Sequence, residues 1–321
     1  MAKQKIRFNY FEPQLIVENN ELVTWDIKKF LDAILNNKRS FNASVFLGDE
    51  VSDLEWNSCG YDYANNLYYL QLSKLRSKNI PSRKKINQDK EDINLADDEY
   101  LGEFNLLIYD PRTNVLVTQG NFYGLNVKQI ALTLSGLRMR VNDLNHERDG
   151  DVPYVVNLAP IIDSNAIEKV MQNEIYRKIT IKGADFNEIA DEELDSDVLS
   201  RSIAALSEVH GVNFEVTLSM AKTGKSESLD SEEVRRMIRD VLKLTREKDL
   251  DVGMHVTSRR DIESSMEYID LLTPKLSSEI VLEVQNRSTI GAEYIFNGFK
   301  EQNYFAAGIS MQNKLIRLLP R

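Results

Sequence analysis

The sequence predicts an α+β protein with two domains. A length of 321 residues suits two domains better than one. Some segments alternate apolar and polar residues with the period of a strand, and others repeat apolar residues with helical spacing. A polar segment at 142–153, which contains a glycine and a proline, separates the two halves and is the predicted boundary.

The first predicted domain, an α+β globular domain over 1–150, opens with a strand at 5–10. A helix follows, because Thr24-Trp25-Asp26 is typical of a helix start and the next apolar residues recur at intervals of three and four. A second helix is predicted at 127–139. The other predicted strands lie at 44–47, 66–72, 104–109 and 115–118. The last two form a hairpin, since Asp110 and Pro111 between them favour a tight turn.

The second predicted domain, over 151–287, alternates strands and helices. Its predicted strands lie at 154–158, 175–182, 212–220, 252–257 and 279–285. Its predicted helices lie at 164–172, 198–209, 230–248 and 261–272. This order favours a βαβ-like arrangement of one sheet covered by helices. The remaining segment, 288–321, is predicted to hold a helix at 291–300 and an apolar tail that packs on the first domain or on a partner subunit.

Composition excludes several classes of protein. Lys and Arg number 40 and Asp and Glu 50, a net charge of −10, which excludes a uniformly polybasic protein but not a local basic patch. The single cysteine, Cys59, excludes an intrachain disulfide. No apolar run reaches the roughly 18 residues that a membrane helix needs. We therefore expect a cytoplasmic protein without direct membrane insertion.

No motif indicates a reaction. The three histidines, His146, His210 and His255, lack the spacing of metal ligands. The segment 221–226 is similar to a phosphate-binding loop, but Ser219 stands where that motif needs its first glycine. We therefore predict no catalytic residue, no metal ligand and no cofactor.

Local positive charge is the strongest functional feature. It is concentrated in the polar stretch 74–90 and in the predicted helix 230–248 with the loop before it. In the second domain, the expected phosphate-contacting residues are Lys222, Lys225, Arg235, Arg236, Arg239, Lys243 and Arg246. In the first domain, they are Lys74, Arg76, Lys78, Arg83, Lys84 and Lys85. The alternative is an ordinary solvated surface, with Glu232 paired to Arg236 and Asp240 paired to Lys243.

The segment 95–102, LADDEYLG, is followed by a strand, a turn and a strand ending near FYG at 122–124. This order resembles the phage-lambda-type exclusion protein RexA and its prophage relatives. The helix start DIKKFL at 26–31 and the segment NLAPI at 157–161 agree with it. The resemblance implies a two-domain homodimer that binds DNA without sequence preference in abortive exclusion of phage. It further implies that DNA contacts the basic strand-to-helix element, here Lys222, Lys225, Arg235, Arg236 and Arg239.

The predicted function is therefore sequence-nonspecific DNA binding in a phage-exclusion system of anti-phage defence, through contacts with the phosphate backbone. The expected partners are double-stranded DNA, a second copy of the chain and a membrane protein encoded nearby. Two alternatives remain open. One is a metal-dependent nuclease or another effector enzyme of a defence system. The other is a protein-interaction sensor that binds no nucleic acid.

Overall fold

A computed structural model of the protein describes residues 2–38, 40, 42–144, 154–184, 194–207, 213–220, 224, 226–248, 252–285, 290–308 and 310–319. The fold is mixed α+β, which confirms the predicted class. The chain divides into two compact units. Unit 1 comprises Met1–Ile161 and Leu276–Arg321, and unit 2 comprises Ile162–Lys275.

The strands are numbered along the chain. In the first part of unit 1 they are β1 (Ala2–Ile16), β2 (Leu22–Thr24), β3 (Val45–Leu47), β4 (Glu50–Leu54), β5 (Gly60–Asp62), β6 (Leu67–Arg76), β7 (Arg83–Lys84), β8 (Lys90–Glu91), β9 (Leu101–Asp110), β10 (Val115–Gly120) and β11 (Val155–Pro160). In unit 2 they are β12 (Ile175–Ala184), β13 (Asn213–Ser219), β14 (Val252–Arg259) and β15 (Glu267–Asp270), and unit 1 resumes with β16 (Ser277–Val284).

The helices are α1 (Lys28–Asn36), α2 (Val127–Leu144), α3 (Ala166–Met171), α4 (Asp197–Ser207), α5 (Ser231–Lys248), α6 (Ala292–Phe299) and α7 (Met311–Leu318). A π-helical turn, Lys300–Tyr304, follows α6 directly. Within the described part of the chain, no helix is both long enough and apolar enough to cross a membrane.

The long first strand, β1, organises unit 1. It pairs antiparallel with β10 and β2, and also with β11 and β16. The sheet continues from β1 through β10, β9, β6 and β4 to β3. Because β11 and β16 are both held by β1, the chain leaves unit 1 after Ile161 and returns at Leu276. The division of the chain therefore falls there, and not at the expected positions 150 and 287.

Helices cover both faces of this sheet. Alternate residues of β9 point to opposite sides, as in any strand. Leu107 and Tyr109 pack with the apolar faces of α1 and α2. Leu106 and Ile108 pack with α6, the π-helical turn and α7. The C-terminal segment therefore builds the second core of unit 1.

Unit 2 is a sheet covered by helices on one face. Its strand order is β13-β12-β14-β15, and the pairs are antiparallel. The inner face contributes apolar side chains such as Ile179, Ile181 and Val256 to a core with α4 and α5. The prediction of a helix at 261–272 is wrong, because the edge strand β15 lies within that range. Carboxylates of Asp261 and Asp270 accept amide hydrogen bonds in the turns on either side of it.

Candidate nucleic-acid interface

The helix α5 carries the described residues of unit 2 that the sequence predicted to contact phosphate. Its start is capped by Asp230, whose Oδ1 accepts the Glu233 amide at 2.8 Å. Its buried face, which includes Ile238 and Val241, packs in the core of unit 2. The opposite face is exposed and presents a basic stripe, which consists of Arg236, Arg239 and Lys243. Their spacing of three and four residues places them along one line of the helix surface.

Arg235 lies beside this stripe, and its guanidinium contacts other residues of unit 2. Its Nη2 atom donates to the carbonyl oxygen of Asn173 at 2.9 Å. Its guanidinium lies 6.0 Å from the centroid of the Tyr176 ring, and it pairs with Glu232. The alternative interpretation expected Glu232 to pair with Arg236, but Glu232 pairs with Arg235 instead. Arg235 anchors α5 to unit 2, which leaves little of its charge for a ligand.

Arg236 is exposed but pairs with Glu233 at 2.9 Å. Glu233 also accepts the Ser196 hydroxyl at 2.6 Å and the Val198 amide at 3.1 Å. Burial raises the pKa of Glu233, but these hydrogen bonds and the charge of Arg236 outweigh it and hold that pKa below its usual range. The carboxylate stays ionised at neutral pH, so it neutralises part of the positive charge of Arg236.

Arg239 and Lys243 complete the stripe and make no ion pair with any residue that the structure describes. The expected partner of Lys243 was Asp240, and this expectation is wrong. Asp240 is only 4% exposed and accepts the backbone amides of Asp195 and Ser196 instead. Among the described side chains of α5, Arg239 and Lys243 are therefore the cations that a polyanion can reach without displacing a described acid.

For three other residues that were expected to contact phosphate, the structure describes no side chain. Lys222 and Lys225 lie outside the described residues. The backbone of Arg246 belongs to α5, but its side chain is not among the described ones. Of the second-domain residues predicted to contact phosphate, the structure thus brings Arg235, Arg236, Arg239 and Lys243 together on one helix.

Several residues of the basic stretch 74–90 of unit 1 lie in strands. Lys74 and Arg76 end β6, and Arg83 and Lys84 form β7. Three of its cations pair with acids, at N–O distances from 2.8 to 3.0 Å. These pairs are Lys74 with Glu50, Lys78 with Asp49 and Arg83 with Glu91. Arg76 is half-buried opposite Glu50 in the register of β4 and β6.

The ribbon of β7 and β8 places like charges side by side. Lys84 lies directly opposite Lys90, and Lys85 follows at the end of β7. All three are exposed, and none forms an ion pair within the described ranges. Like charges at directly opposed positions repel each other, so an anion bound between Lys84 and Lys90 would relieve that repulsion.

The structure also exposes a surface that the sequence interpretation missed. Residues that face each other across antiparallel strands share a side of the sheet. The side of the unit 2 sheet away from the helices, here called the outer sheet face, is polar, and all of its residues but the buried Thr180 are exposed or half-buried. Its residues are Lys178, Thr180, Lys182, Glu215, Thr217, Ser219, His255, Thr257, Tyr268 and Asp270. The alternation KITIK at 178–182 could have revealed it, but Tyr268 was assigned to a helix.

Cys59 is buried, and His255 is half-buried on β14. Burial raises the pKa of the Cys59 thiol to about 11, so the thiolate is scarce at neutral pH. His255 stacks on Tyr268 with its ring centroid 5.2 Å away. Among the residues that the structure describes, no three His, Cys, Asp or Glu side chains are grouped so that they could hold a metal ion.

Two comparisons with known proteins bear on the chain. A family model matches residues 1–314, and its description is a family of unknown function, DUF6731. No curated protein matches the chain.

Proposed function

Since the chain belongs to the DUF6731 family, whose description assigns no activity, we propose a function from its own residues: it binds DNA without sequence preference through the phosphate backbone. One observation carries this proposal. Two groups of exposed cations have no ion-pair partner among the residues that the structure describes: Arg239 and Lys243 on α5, and Lys84, Lys85 and Lys90 around the β7–β8 ribbon.

The physical basis of this binding is the release of counterions. Duplex DNA holds condensed cations, and each protein cation that neutralises a phosphate releases them. The slope of log affinity against log salt is about −0.9 for each phosphate contact. If all five of these cations contacted phosphates, the slope would be about −4 to −5. The whole chain has a net charge of −10, so the surface outside these places is acidic on balance and disfavours contact with DNA there.

The proposed biological role is phage exclusion by abortive infection, in the cytoplasm, with the chain acting as a homodimer. The support for this role is the resemblance of the segments 95–102, 122–124 and 157–161 to the RexA-type exclusion proteins. A membrane protein encoded nearby is the proposed partner in that role.

The test is a titration of two unrelated fluorescein-labelled 20-base-pair duplexes, followed by anisotropy from 50 to 300 mM salt. We expect equal affinity for both sequences and a steep salt dependence. The variants Arg239→Glu/Lys243→Glu and Lys84→Glu/Lys85→Glu/Lys90→Glu should each lose at least tenfold in affinity at 50 mM salt and have a shallower slope. The matched control is Lys29→Glu/Lys128→Glu, which changes two exposed lysines of α1 and α2.

The outcomes are distinct. Absence of duplex binding by the parent protein at 50 mM salt, or unchanged affinity of both charge-reversal variants, overturns the proposal. A strong preference for one of the two sequences overturns its nonspecific character. Cleavage of the duplex with Mg²⁺ or Mn²⁺ present would support the nuclease alternative instead.

A further inference from the structure

The outer sheet face of unit 2 carries an exposed aromatic pair. The rings of His255 on β14 and Tyr268 on β15 are stacked, with centroids 5.2 Å apart and planes 22° from parallel. Tyr268 is 58% exposed, although it lies in a strand. One side of its ring is thus supported by His255 while much of the side chain is in contact with solvent. A supported, accessible ring is the kind of surface on which a nucleobase stacks.

A cation lies in the same cross-strand row as this ring. Tyr268 is directly opposite Thr257, Thr257 is directly opposite Lys178, and Lys178 is directly opposite Ser219. Two inter-strand spacings, about 10 Å in all, separate Tyr268 from Lys178. Hydroxyl groups of Thr257 and Ser219 flank the lysine in the row. An aromatic ring, a hydroxyl and a cation therefore succeed each other along one line of the sheet.

The charges on the outer sheet face leave Lys178 available. Lys182, two residues further along β12, pairs with Glu215 at 2.9 Å. Lys178 makes no ion pair with the described residues, although Glu215 is near enough to interact with it electrostatically. Asp270 on β15 is engaged elsewhere, since its two oxygens accept hydrogen bonds from Thr273 and from the Leu272 amide. Among the described residues of this face, the exposed cation without an ion-pair partner, Lys178, therefore lies in the row of Tyr268.

We propose that the outer sheet face binds single-stranded nucleic acid, with a base stacked on Tyr268 and a backbone phosphate at Lys178. A single strand fits this arrangement because its bases are free to stack on a side chain, whereas the bases of a duplex are stacked on each other. Stacking tolerates any base, because every base has a π-face. The hydroxyls of Thr257 and Ser219 can bond to sugar or phosphate oxygens between the two contacts.

This site is separate from the basic stripe. The helix α5 packs on the inner face of the unit 2 sheet, and the outer sheet face is the opposite side of the same sheet. A substitution at Tyr268 leaves Arg239 and Lys243 untouched, so failure of one proposal does not imply failure of the other.

The experiment measures the affinity of the full chain for fluorescein-labelled oligothymidylate and oligoadenylate of 15 nucleotides, again by anisotropy over a salt series. Tyr268→Ala should weaken binding about 5- to 150-fold, the range for the loss of one stacked base, and should leave the salt slope unchanged. Tyr268→Phe keeps the ring and should bind within about twofold of the parent. Lys178→Ala should reduce the slope by about 0.7, the single-strand value for one phosphate.

The matched control is Lys182→Ala, which removes a lysine of the same strand and face that is already paired with Glu215. It should change the affinity less than Lys178→Ala does. Affinity of Tyr268→Ala equal to that of the parent overturns the proposal, as does absence of oligonucleotide binding at 50 mM salt. Conversion of a dimer to a monomer by Tyr268→Ala, with unchanged oligonucleotide affinity, overturns it in favour of contact between two copies of the chain.

Discussion

The Oδ2 atom of Asp240 accepts a hydrogen bond from the backbone amide of Ser196 at 2.8 Å. The helix that carries the basic stripe therefore also caps the helix before it. Asp195 donates a second amide to the same carboxylate at 3.2 Å. Burial raises the pKa of Asp240, and these two amides oppose that rise. Helical spacing predicted that Asp240 would form a surface ion pair with Lys243, but Asp240 is buried in unit 2.

We expect Asp240→Ala to destabilise unit 2 by about 1–2 kcal/mol, because two amides at the start of α4 lose their acceptor. Both tryptophans, Trp25 and Trp56, lie in unit 1, so urea unfolding of unit 2 should be followed by hydrogen exchange or far-ultraviolet circular dichroism. Lys243→Ala is the control and should cost less than about 0.5 kcal/mol. Equal destabilisation by both variants would contradict the role of Asp240 as the acceptor of these two amides.

A second expectation concerns the buried carboxylate of Asp110, which is only 1% exposed. It accepts hydrogen bonds from Tyr304 at 2.7 Å and Gln312 at 2.9 Å, and it pairs with Arg112. Tyr304→Phe should therefore lower the stability of unit 1 by about 1–3 kcal/mol, since it removes a donor to a buried charge.

Tryptophan fluorescence in a urea series measures this loss. Tyr294→Phe makes the same chemical change at an exposed position, where the hydroxyl donates to the Glu283 carbonyl at 3.3 Å, and should be close to neutral. A neutral Tyr304→Phe would mean that the hydroxyl contributes nothing to the Asp110 site.

The pair of Asp62 and Lys300 makes the stability of unit 1 depend on pH. Their side chains meet at 2.7 Å and are both largely buried. Burial raises the pKa of Asp62, but hydrogen bonds from Lys300 and Asn65 outweigh it and hold that pKa below its usual range. A pKa lower in the folded than in the unfolded state stabilises the folded protein above the unfolded value of about 3.9. This stabilisation is lost as the pH falls from there through the folded pKa.

Asp62→Asn should therefore lower stability at pH 6 and flatten its decline between about pH 5 and pH 3, as measured by tryptophan fluorescence in guanidinium chloride. Asp49→Asn provides a control, because Asp49 pairs with Lys78 at an exposed site. An unchanged pH profile for Asp62→Asn, with Asp49→Asn as steep as the parent, would contradict this role of the pair.

Cys59 should be inert in the folded protein. It is 3% exposed, and burial raises the pKa of its thiol to about 11. We expect slow reaction with a chromogenic disulfide reagent at pH 7 and rapid, stoichiometric reaction in 6 M guanidinium chloride. A native rate close to the denatured one would contradict the burial of this side chain.

Local patterns predicted the elements whose determinants lie close together in the chain. The helix predicted at 230–248 is α5, since its apolar residues repeat over many turns, and the hairpin after 104 is β9 with β10. The division at Ile161 and Leu276 was missed because it depends on the pairing of β1 with distant strands. The partners of Asp240 were missed for a similar reason, because amides distant in the chain, those of Asp195 and Ser196, bind its carboxylate. Glu232 does pair at helical spacing, but with Arg235 three residues on and not with Arg236 four residues on.

The pairing of Ala2 with Val284 affects the order in which the protein is completed during synthesis. A nascent chain contains all of unit 2 once Lys275 has left the ribosome, but β1 still lacks β16 at that moment. The apolar side chains of β1 that face α6 must wait for the C-terminal segment before they are covered. Unit 1 is therefore the last part to close, and a chain that stops before β16 presents an open strand edge that can aggregate.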